Sequence, residues 1–298
     1  FLCSDGTTAP MSDMDAAELS EKLEKAGRES YRVVACARGS RSDFETAGRS
    51  GLSGNLEFIC LFMLRDPVRK EVKGSVADAH AAGIHVIMMT GDNPDTALAV
   101  ARETGIYKAG LYDRVLPAEE LHRMSDSEVR GVFPRLAVIS RALPADKLRL
   151  VELAKSDGLV CGMTGDGIND APSLKSGDVG FAMGSGTDVA REAGDIVITD
   201  DSFASITRAV LYGRTIFETI RKFIVFQLMM NLCAMGVSLI GPFMGIDSPV
   251  TVIQMLWINI IMDTLGGLAF AGEPALRRYM LKKSPPRDEK ILTRQMIN

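Results

Sequence analysis

Two stretches of this chain carry almost no charge, and they constrain its fold more than any other feature. From Phe223 to Ile246 no residue is formally charged, and from Val250 to Ala271 only Asp263 is. A helix of about 20 residues crosses a hydrocarbon core of about 30 Å, so each stretch is long enough to span a membrane. Backbone in lipid must satisfy its own hydrogen bonds, which makes helices the expected form. The link between the runs, Asp247-Ser248-Pro249, has no Lys or Arg. Arg214, Arg221 and Lys222 precede the first run, and Arg277, Arg278, Lys282 and Lys283 follow the second. Positive flanks stay on the cytosolic side, so both outer ends are expected in the cytosol and Ser248 on the far side.

Upstream of Phe203 the pattern is that of a soluble α/β domain. Ser12 to Lys25 has an N-cap candidate, early acids and apolar Leu19 and Leu23, which predicts an amphipathic helix. Tyr31 to Ala37 and Leu56 to Leu64 read as strands joined by a polar stretch, Gly39 to Gly54. The spacing then predicts alternating helices and strands. Helices are expected over 69–82, 95–103 and 145–156, and strands over 84–89, 136–139 and 159–163. Short strands at 179–182 and 195–198 flank a helix at 186–193. Such alternation implies a doubly wound parallel sheet covered by helices, with function at the C-terminal ends of the strands. The helical pattern from Ser205 runs to Phe223 with only Gly213 to interrupt it, so one long helix is expected to enter the first span.

Composition excludes several functions. A net charge of −4 with a sequence pI near 5.6 offers no basic stripe for a nucleic-acid backbone. The five cysteines (Cys3, Cys36, Cys60, Cys161 and Cys233) form no Cys-x-x-Cys pair, which disfavours a zinc site and a disulfide scaffold and fits a reducing compartment. The opening Phe1-Leu2-Cys3-Ser4 carries neither an initiator Met nor a signal-peptide pattern, and reads as the front of a fragment.

The most informative short motif is Met163-Thr164-Gly165-Asp166-Gly167-Ile168-Asn169-Asp170-Ala171-Pro172. It follows an apolar run, so it reads as a strand ending in a carboxylate loop. Two acids and an Asn within five residues, with glycines to let the backbone turn, make a hard-oxygen site suited to Mg²⁺ beside a phosphate. Thr90-Gly91-Asp92 follows another strand and offers a hydroxyl and turn amides to phosphate oxygens. Arg141 and Lys147 lie six apart after a third, where a Lys can neutralise charge on an acyl phosphate. Asp66-Pro67-Val68-Arg69 reads as a strand-to-helix turn with Pro near the first helical position.

Together these motifs resemble the P-type cation-transporting ATPases, specifically calcium pumps of the plasma-membrane kind, over roughly Tyr31 to Asn298. The resemblance implies a haloacid-dehalogenase-like fold followed by transmembrane helices. It implies Asp166 as the Mg²⁺ ligand, with Asn169 and Asp170 supporting the phosphate site. Thr90 and Gly91 would bind phosphoryl oxygens with Asp92 in the same cluster, Lys147 would contact the phosphate, and Arg69 and Arg141 would lie near the nucleotide. The family's membrane motif, Asn-x-x-x-Asp, matches Asn259 and Asp263, and the preceding span supplies Asn231. These three would hold transported Ca²⁺. Three residues after Asn231, where two-site pumps of the reticulum type carry a Glu, stands Ala234, and Met262 replaces a Thr; one Ca²⁺ rather than two is expected.

The implied organisation is a nucleotide-domain remnant (1–54), a phosphorylation domain (55–204), a stalk helix (205–222), two spans (223–246 and 250–271) and a cytosolic loop (272–298). The implied setting is a multi-pass protein of a plasma or bacterial cytoplasmic membrane. Its partners would be ATP, Mg²⁺, Ca²⁺, the bilayer and the remainder of the pump chain. The departures are definite. The family's Asp-Lys-Thr-Gly-Thr nucleophile does not occur, and Ser4-Asp5-Gly6-Thr7-Thr8 lacks the Lys. A non-catalytic, membrane-anchored regulatory remnant is the alternative reading. Gly184-Ser185-Gly186-Thr187-Asp188-Val189 opens like a dinucleotide fingerprint but has no third Gly.

Overall fold

The computed structural model describes residues 9–28, 31–39, 57–64, 67–246, 249–282, 284, 286, 287, 289 and 291. The Ser4 to Thr8 segment, Asp66, Ser248 and nearly all of the 39–54 connection lie outside that set. The chain falls into two compact units, one of residues 1–76 and 86–153 and one of residues 77–85 and 154–298.

In the first unit, helix α1 (Asp13–Arg28) precedes an antiparallel pair, β1 (Arg32–Arg38) and β2 (Glu57–Leu64), in which Cys36 lies opposite Cys60. Helix α2 (Val72–Ala81) follows and leads out of this unit. The parallel ladder has the order β3 (Met88–Met89), β5 (Leu136–Ser140), β4 (Arg114–Pro117). Every residue of β5 is buried, as a central strand with both faces covered requires. Four helices complete the unit: α3 (Pro94–Thr104), α4 (Ala118–Arg123), α5 (Asp126–Val132) and α6 (Pro144–Ser156). Leu116, Leu121, Val129, Leu136, Ile139, Leu150 and Leu153 form its core. Helix α3 starts at Asn93, whose side chain accepts from the Thr96 N–H at 2.9 Å, and stops at left-handed Gly105.

In the second unit β6 (Gly162–Gly165), β7 (Val179–Met183) and β8 (Ile196–Ile198) form a second parallel ladder, with α7 (Ala171–Ser176) and α8 (Asp188–Ala193) in the crossovers. Two expected strands begin late for one reason. The residues after Gly83 and Gly158, both left-handed, are still used to close the preceding helix: Ile84 N–H reaches the Ala79 carbonyl and Leu159 N–H the Ala154 carbonyl. Pairing therefore begins at Met88, not Ile84, and at Gly162, not Leu159.

From this ladder the chain enters α9 (Phe203–Ile240), a single helix of 38 residues. Its start is fixed by Ser202, whose hydroxyl accepts from the Ala204 N–H, and by Asp200, whose carboxylate accepts the Ser205 hydroxyl at 2.6 Å. That hydroxyl is the chief reason the Asp200 carboxyl is held below the usual carboxylate range. The expected continuity of stalk and span is present. The α-helix ends at Ile240, earlier than the charge pattern suggests, and a 3₁₀ turn (Gly241–Met244) closes at left-handed Gly245.

The second apolar run is not one regular helix. It comprises α10 (Val252–Ile261), capped by a reciprocal Thr251–Gln254 box, a π turn over Met262–Gly266, and α11 (Gly267–Ala271). The runs meet where Phe226 approaches Gly266: a Cβ on that glycine would lie 3.2 Å from the Phe226 ring. Phe270 closes the contact against Phe223 and Phe226, with centroids 6.1 and 5.8 Å away. The segment after α11 is strapped to α9. Lys222 pairs with Glu273, Lys282 with Glu218 and Arg221 with Glu289. Arg214 donates to the carbonyls of Ala82, Tyr279 and Lys282 and to the Ser284 hydroxyl, at 2.7–3.0 Å.

Candidate functional site

The Asp166 loop hangs from the C-terminal end of β6. Two chain approaches in it are closer than side chains allow. A Cβ on Gly165 would sit 2.4 Å from the Asp170 Cβ, and one on Gly186 would sit 2.8 Å from the Asp166 carbonyl oxygen and 3.0 Å from its Cα. Gly165 therefore lets the buried Asp170 fold under the strand end, where its carboxylate faces the Gly167 N–H at 3.4 Å. Asp170 also starts α7, through the Ser173 hydroxyl donating to its carbonyl at 2.8 Å. Gly186 lets the 184–187 turn press on Asp166, whose carbonyl accepts the Thr187 N–H at 2.8 Å. Asp166's backbone is held by that turn while its side chain and that of Asn169 are exposed.

This donor set suits Mg²⁺. That ion keeps several waters and takes one or two protein carboxylates beside phosphate oxygens, so it needs no dedicated cage. Among the described residues no cluster of three or more His, Cys, Asp or Glu side chains could enclose a metal by itself. Asp166 supplies one exposed carboxylate on a fixed backbone. Gly186→Ala is expected to lower the thermal unfolding midpoint of the full-length chain by an amount matching about 1–3 kcal/mol, because the clash is with backbone. Gly131→Ala, where an added Cβ meets nothing within 4 Å, serves as the comparison and should not destabilise. Equal midpoints for the two variants would contradict the close approach.

The second cluster belongs to the first unit. Thr90 follows β3 and its hydroxyl donates to the Asp92 carboxylate at 2.9 Å while accepting the Asp92 N–H at 3.1 Å. The chain after β5 is tied to it: Arg141 N–H reaches the Asp92 carbonyl at 3.0 Å and Ala142 N–H the Thr90 carbonyl at 2.9 Å. Arg141 has φ 53°, an uncommon conformation for a non-glycine residue, and the two backbone bonds hold it there. Thr90, Asp92 and Arg141 are thus brought together. Lys147, half-buried in the first turn of α6, is joined to them through Leu143, whose carbonyl accepts the Lys147 N–H at 3.3 Å. Gly91 is open on its Cβ side. Arg69 precedes α2, and its carbonyl accepts the Val72 N–H at 3.1 Å.

In the apolar pair, Asn259 is half-buried on α10, Asn231 is exposed on α9, and Asp263 is exposed within the π turn. Among the described residues no hydrogen bond joins the three.

The residues 9–178 match the family model of haloacid dehalogenase-like hydrolases, and residues 247–298 match that of the cation transporting ATPase C-terminus. The chain is 38% identical over 302 residues to calcium-transporting ATPase 3, plasma membrane-type, of Oryza sativa subsp. japonica, covering 99% of this chain and 29% of that protein. It is 42% identical over 258 residues to plasma membrane calcium-transporting ATPase 3 of Homo sapiens, covering 82% of this chain and 21% of the relative. The chain belongs to the haloacid dehalogenase-like hydrolases, in their P-type ATPase branch. A crystal structure of a zinc-transporting PIB-type ATPase in the E2.Pi state agrees with this P-type ATPase fold at a TM-score of 0.55 and 25% identity, over 91% of this chain and 34% of that one. The P-type ATPase chain thus spans about a fifth to a third of the length of these relatives.

Two structural elements of this P-type ATPase chain have no counterpart among the sequence motifs. The 184–187 turn resembled an incomplete dinucleotide fingerprint, yet its glycines serve contact with Asp166 and with β8, where a Cβ on Gly184 would lie 2.9 Å from the Thr199 Cα. The β4-α4-α5 segment has one local signal, Ser125-x-x-Glu128, a capping box present in full.

Proposed function

We propose that this chain is the phosphorylation domain and a membrane hairpin of an ATP-driven pump that exports Ca²⁺ by forming and hydrolysing an aspartyl phosphate. The observation that carries the reading is α9, which begins at a capped turn beside the β6-β7-β8 ladder and continues unbroken into an apolar run. Such a helix can transmit a change in the soluble ladder to the membrane. The proposed divisions are 1–54 for the end of a nucleotide domain, 55–204 for the phosphorylation domain, 205–222 for the stalk, 223–246 and 250–271 for the spans and 272–298 for a cytosolic loop.

The proposed chemistry follows from the loops at the strand ends. Asp166 would hold Mg²⁺, which supplies neutralisation of the charge on the transferring phosphoryl group. Asn169 would hydrogen-bond at the exposed edge of that loop, and Asp170 would keep the loop's shape from beneath. Thr90 and the Gly91 backbone would orient phosphoryl oxygens, with Asp92 fixing the Thr90 hydroxyl. Lys147 would add positive charge as negative charge develops. Arg69 and Arg141 would attract the nucleotide. Asn231, Asn259 and Asp263 would offer hard oxygens to one Ca²⁺.

The test is acid-stable phosphorylation of the full-length protein from ATP, expected to require both Ca²⁺ and Mg²⁺. Labelling indifferent to Ca²⁺ would remove the export reading, and no labelling at all would favour a non-catalytic, membrane-anchored module. Orientation has its own test. A Cys introduced at 248 should react from outside intact cells and one at 282 only after permeabilisation; the reverse pattern would invert the topology.

A further inference from the structure

We propose that Asp146 is the residue that positions Lys147, and that His122 holds Asp146 in place by hydrogen bonding. The inference rests on the proposed role of Lys147 at the phosphate. Asp146 is 3% exposed, yet it carries a carboxylate, which is costly to bury unless donors reach it. Two donors do. One carboxylate oxygen accepts the Leu143 N–H at 2.8 Å and the other lies 2.6 Å from His122 Nε2. The first bond anchors Leu143 through its N–H, and the Leu143 carbonyl, in the next peptide, accepts the N–H groups of both Asp146, at 3.0 Å, and Lys147, at 3.3 Å. Through Ala142 and Arg141 the same turn is pinned to the carbonyls of Thr90 and Asp92. Asp146 therefore closes a ring of backbone bonds with the phosphate-binding loop on one side and Lys147 on the other.

His122 comes from α4, which the sequence places far from Lys147, and a second link makes that helix a firm base. Arg149, one turn further along α6, donates to the carbonyls of Leu121 and Met124 at 2.9 and 2.8 Å and to the Asp126 carboxylate at 2.7 Å. The C-terminal carbonyls of α4 are thus clamped by the same helix whose first turn carries Lys147, and the leucines 121, 150 and 153 pack beneath. The His122 side chain itself is 47% exposed, so it contributes little to packing. What it contributes is a directed donor to a buried carboxylate. The lysine's backbone would be free to shift if that donor were lost, because a half-satisfied buried acid is the weak point of such a network.

The experiment uses the full-length pump. His122→Ala is expected to lower ATP turnover three- to tenfold at an assay temperature where the variant is still folded, leaving the KM for ATP within error of the parent; its thermal unfolding midpoint should fall, because a buried acceptor loses a donor. His122→Gln, which can present a side-chain N–H to Asp146, should restore at least half of the lost turnover. Asp146→Asn should lower turnover at least as far as His122→Ala, and combining the two should add nothing. Unchanged turnover in His122→Ala, a loss no larger than the fraction unfolded at the assay temperature, or failure of Gln to restore would overturn the proposal. Lys147→Ala, assayed alongside, tests the underlying reading: normal turnover there would remove the lysine's role, whatever the histidine variants show.

Discussion

Replacing Asp166 with Ala in the full-length protein is expected to abolish phosphoenzyme formation and ATP hydrolysis, a loss of about a thousandfold or more, while the unfolding midpoint stays close to the parent's. The size follows from the role. A metal that neutralises transferring phosphoryl charge contributes several kcal/mol to the transition state, and about 1.4 kcal/mol is tenfold in rate. The preserved fold follows from which atoms do the structural work. Asp166 supports the loop through its carbonyl, which accepts the Thr187 N–H, and through the Cα that Gly186 packs against. Its side chain is exposed and carries no such burden. Asp170 is the opposite case, 7% exposed and wedged beneath Gly165, so its replacement should lower stability and activity together. Near-normal Mg²⁺-dependent turnover in Asp166→Ala would defeat the assignment.

Asp263→Asn is expected to lower Ca²⁺ affinity by more than about 100-fold, beyond the 10–100-fold that outer-shell changes around a metal cost. The carboxylate is the single formal charge in its apolar run, and an ionisable group at such depth is a functional candidate by default. The helices cross where Phe226 meets Gly266. Asn231 lies five residues beyond Phe226 and Asp263 three before Gly266, so at about 1.5 Å per residue the two differ in depth by about 3 Å. Asp263 itself stands in the π turn over Met262–Gly266, and such widened turns are frequent at functional sites. Ala234 and Met262 supply no oxygen-bearing side chain, so the ratio of Ca²⁺ bound to phosphoenzyme should be near one. A ratio near two, or full affinity in Asp263→Asn, would sink the proposal.

The charge-free runs, the β–α alternation and the Asp166 motif were legible because each depends on local spacing. The unbroken α9 was legible for the same reason: no Pro and only isolated glycines interrupt Phe203 to Ile240. What could not be read was set by contacts distant in the chain. The strands at Ile84 and Leu159 have suitable side chains, but their backbone donors are spent on the preceding helix. The meaning of Gly186 required knowing that Asp166, twenty residues earlier, lies against it. His122 and Asp146 are 24 residues apart and share no motif, so only the packing of α4 on α6 pairs them. The π turn leaves no mark in hydropathy, which counts how apolar a run is and not how its turns close.

The length of α9 gives the Arg214 clamp a mechanical meaning. Thirty-eight residues at about 1.5 Å each make a rod of about 57 Å, so a tilt of one degree at its Ser202 end displaces Ile240 by about 1 Å. Arg214 grips three carbonyls and a hydroxyl about a third of the way along, and burial lowers its pKa from the usual guanidinium value. Those acceptors belong to Ala82 and to the segment after α11, so the rod cannot swing there without carrying both. A clamp at that position divides the rod into an arm toward Ser202 and one about twice as long toward Ile240, so with the clamped point held still a tilt would move the Ile240 end about twice as far as the Ser202 end, in the opposite direction.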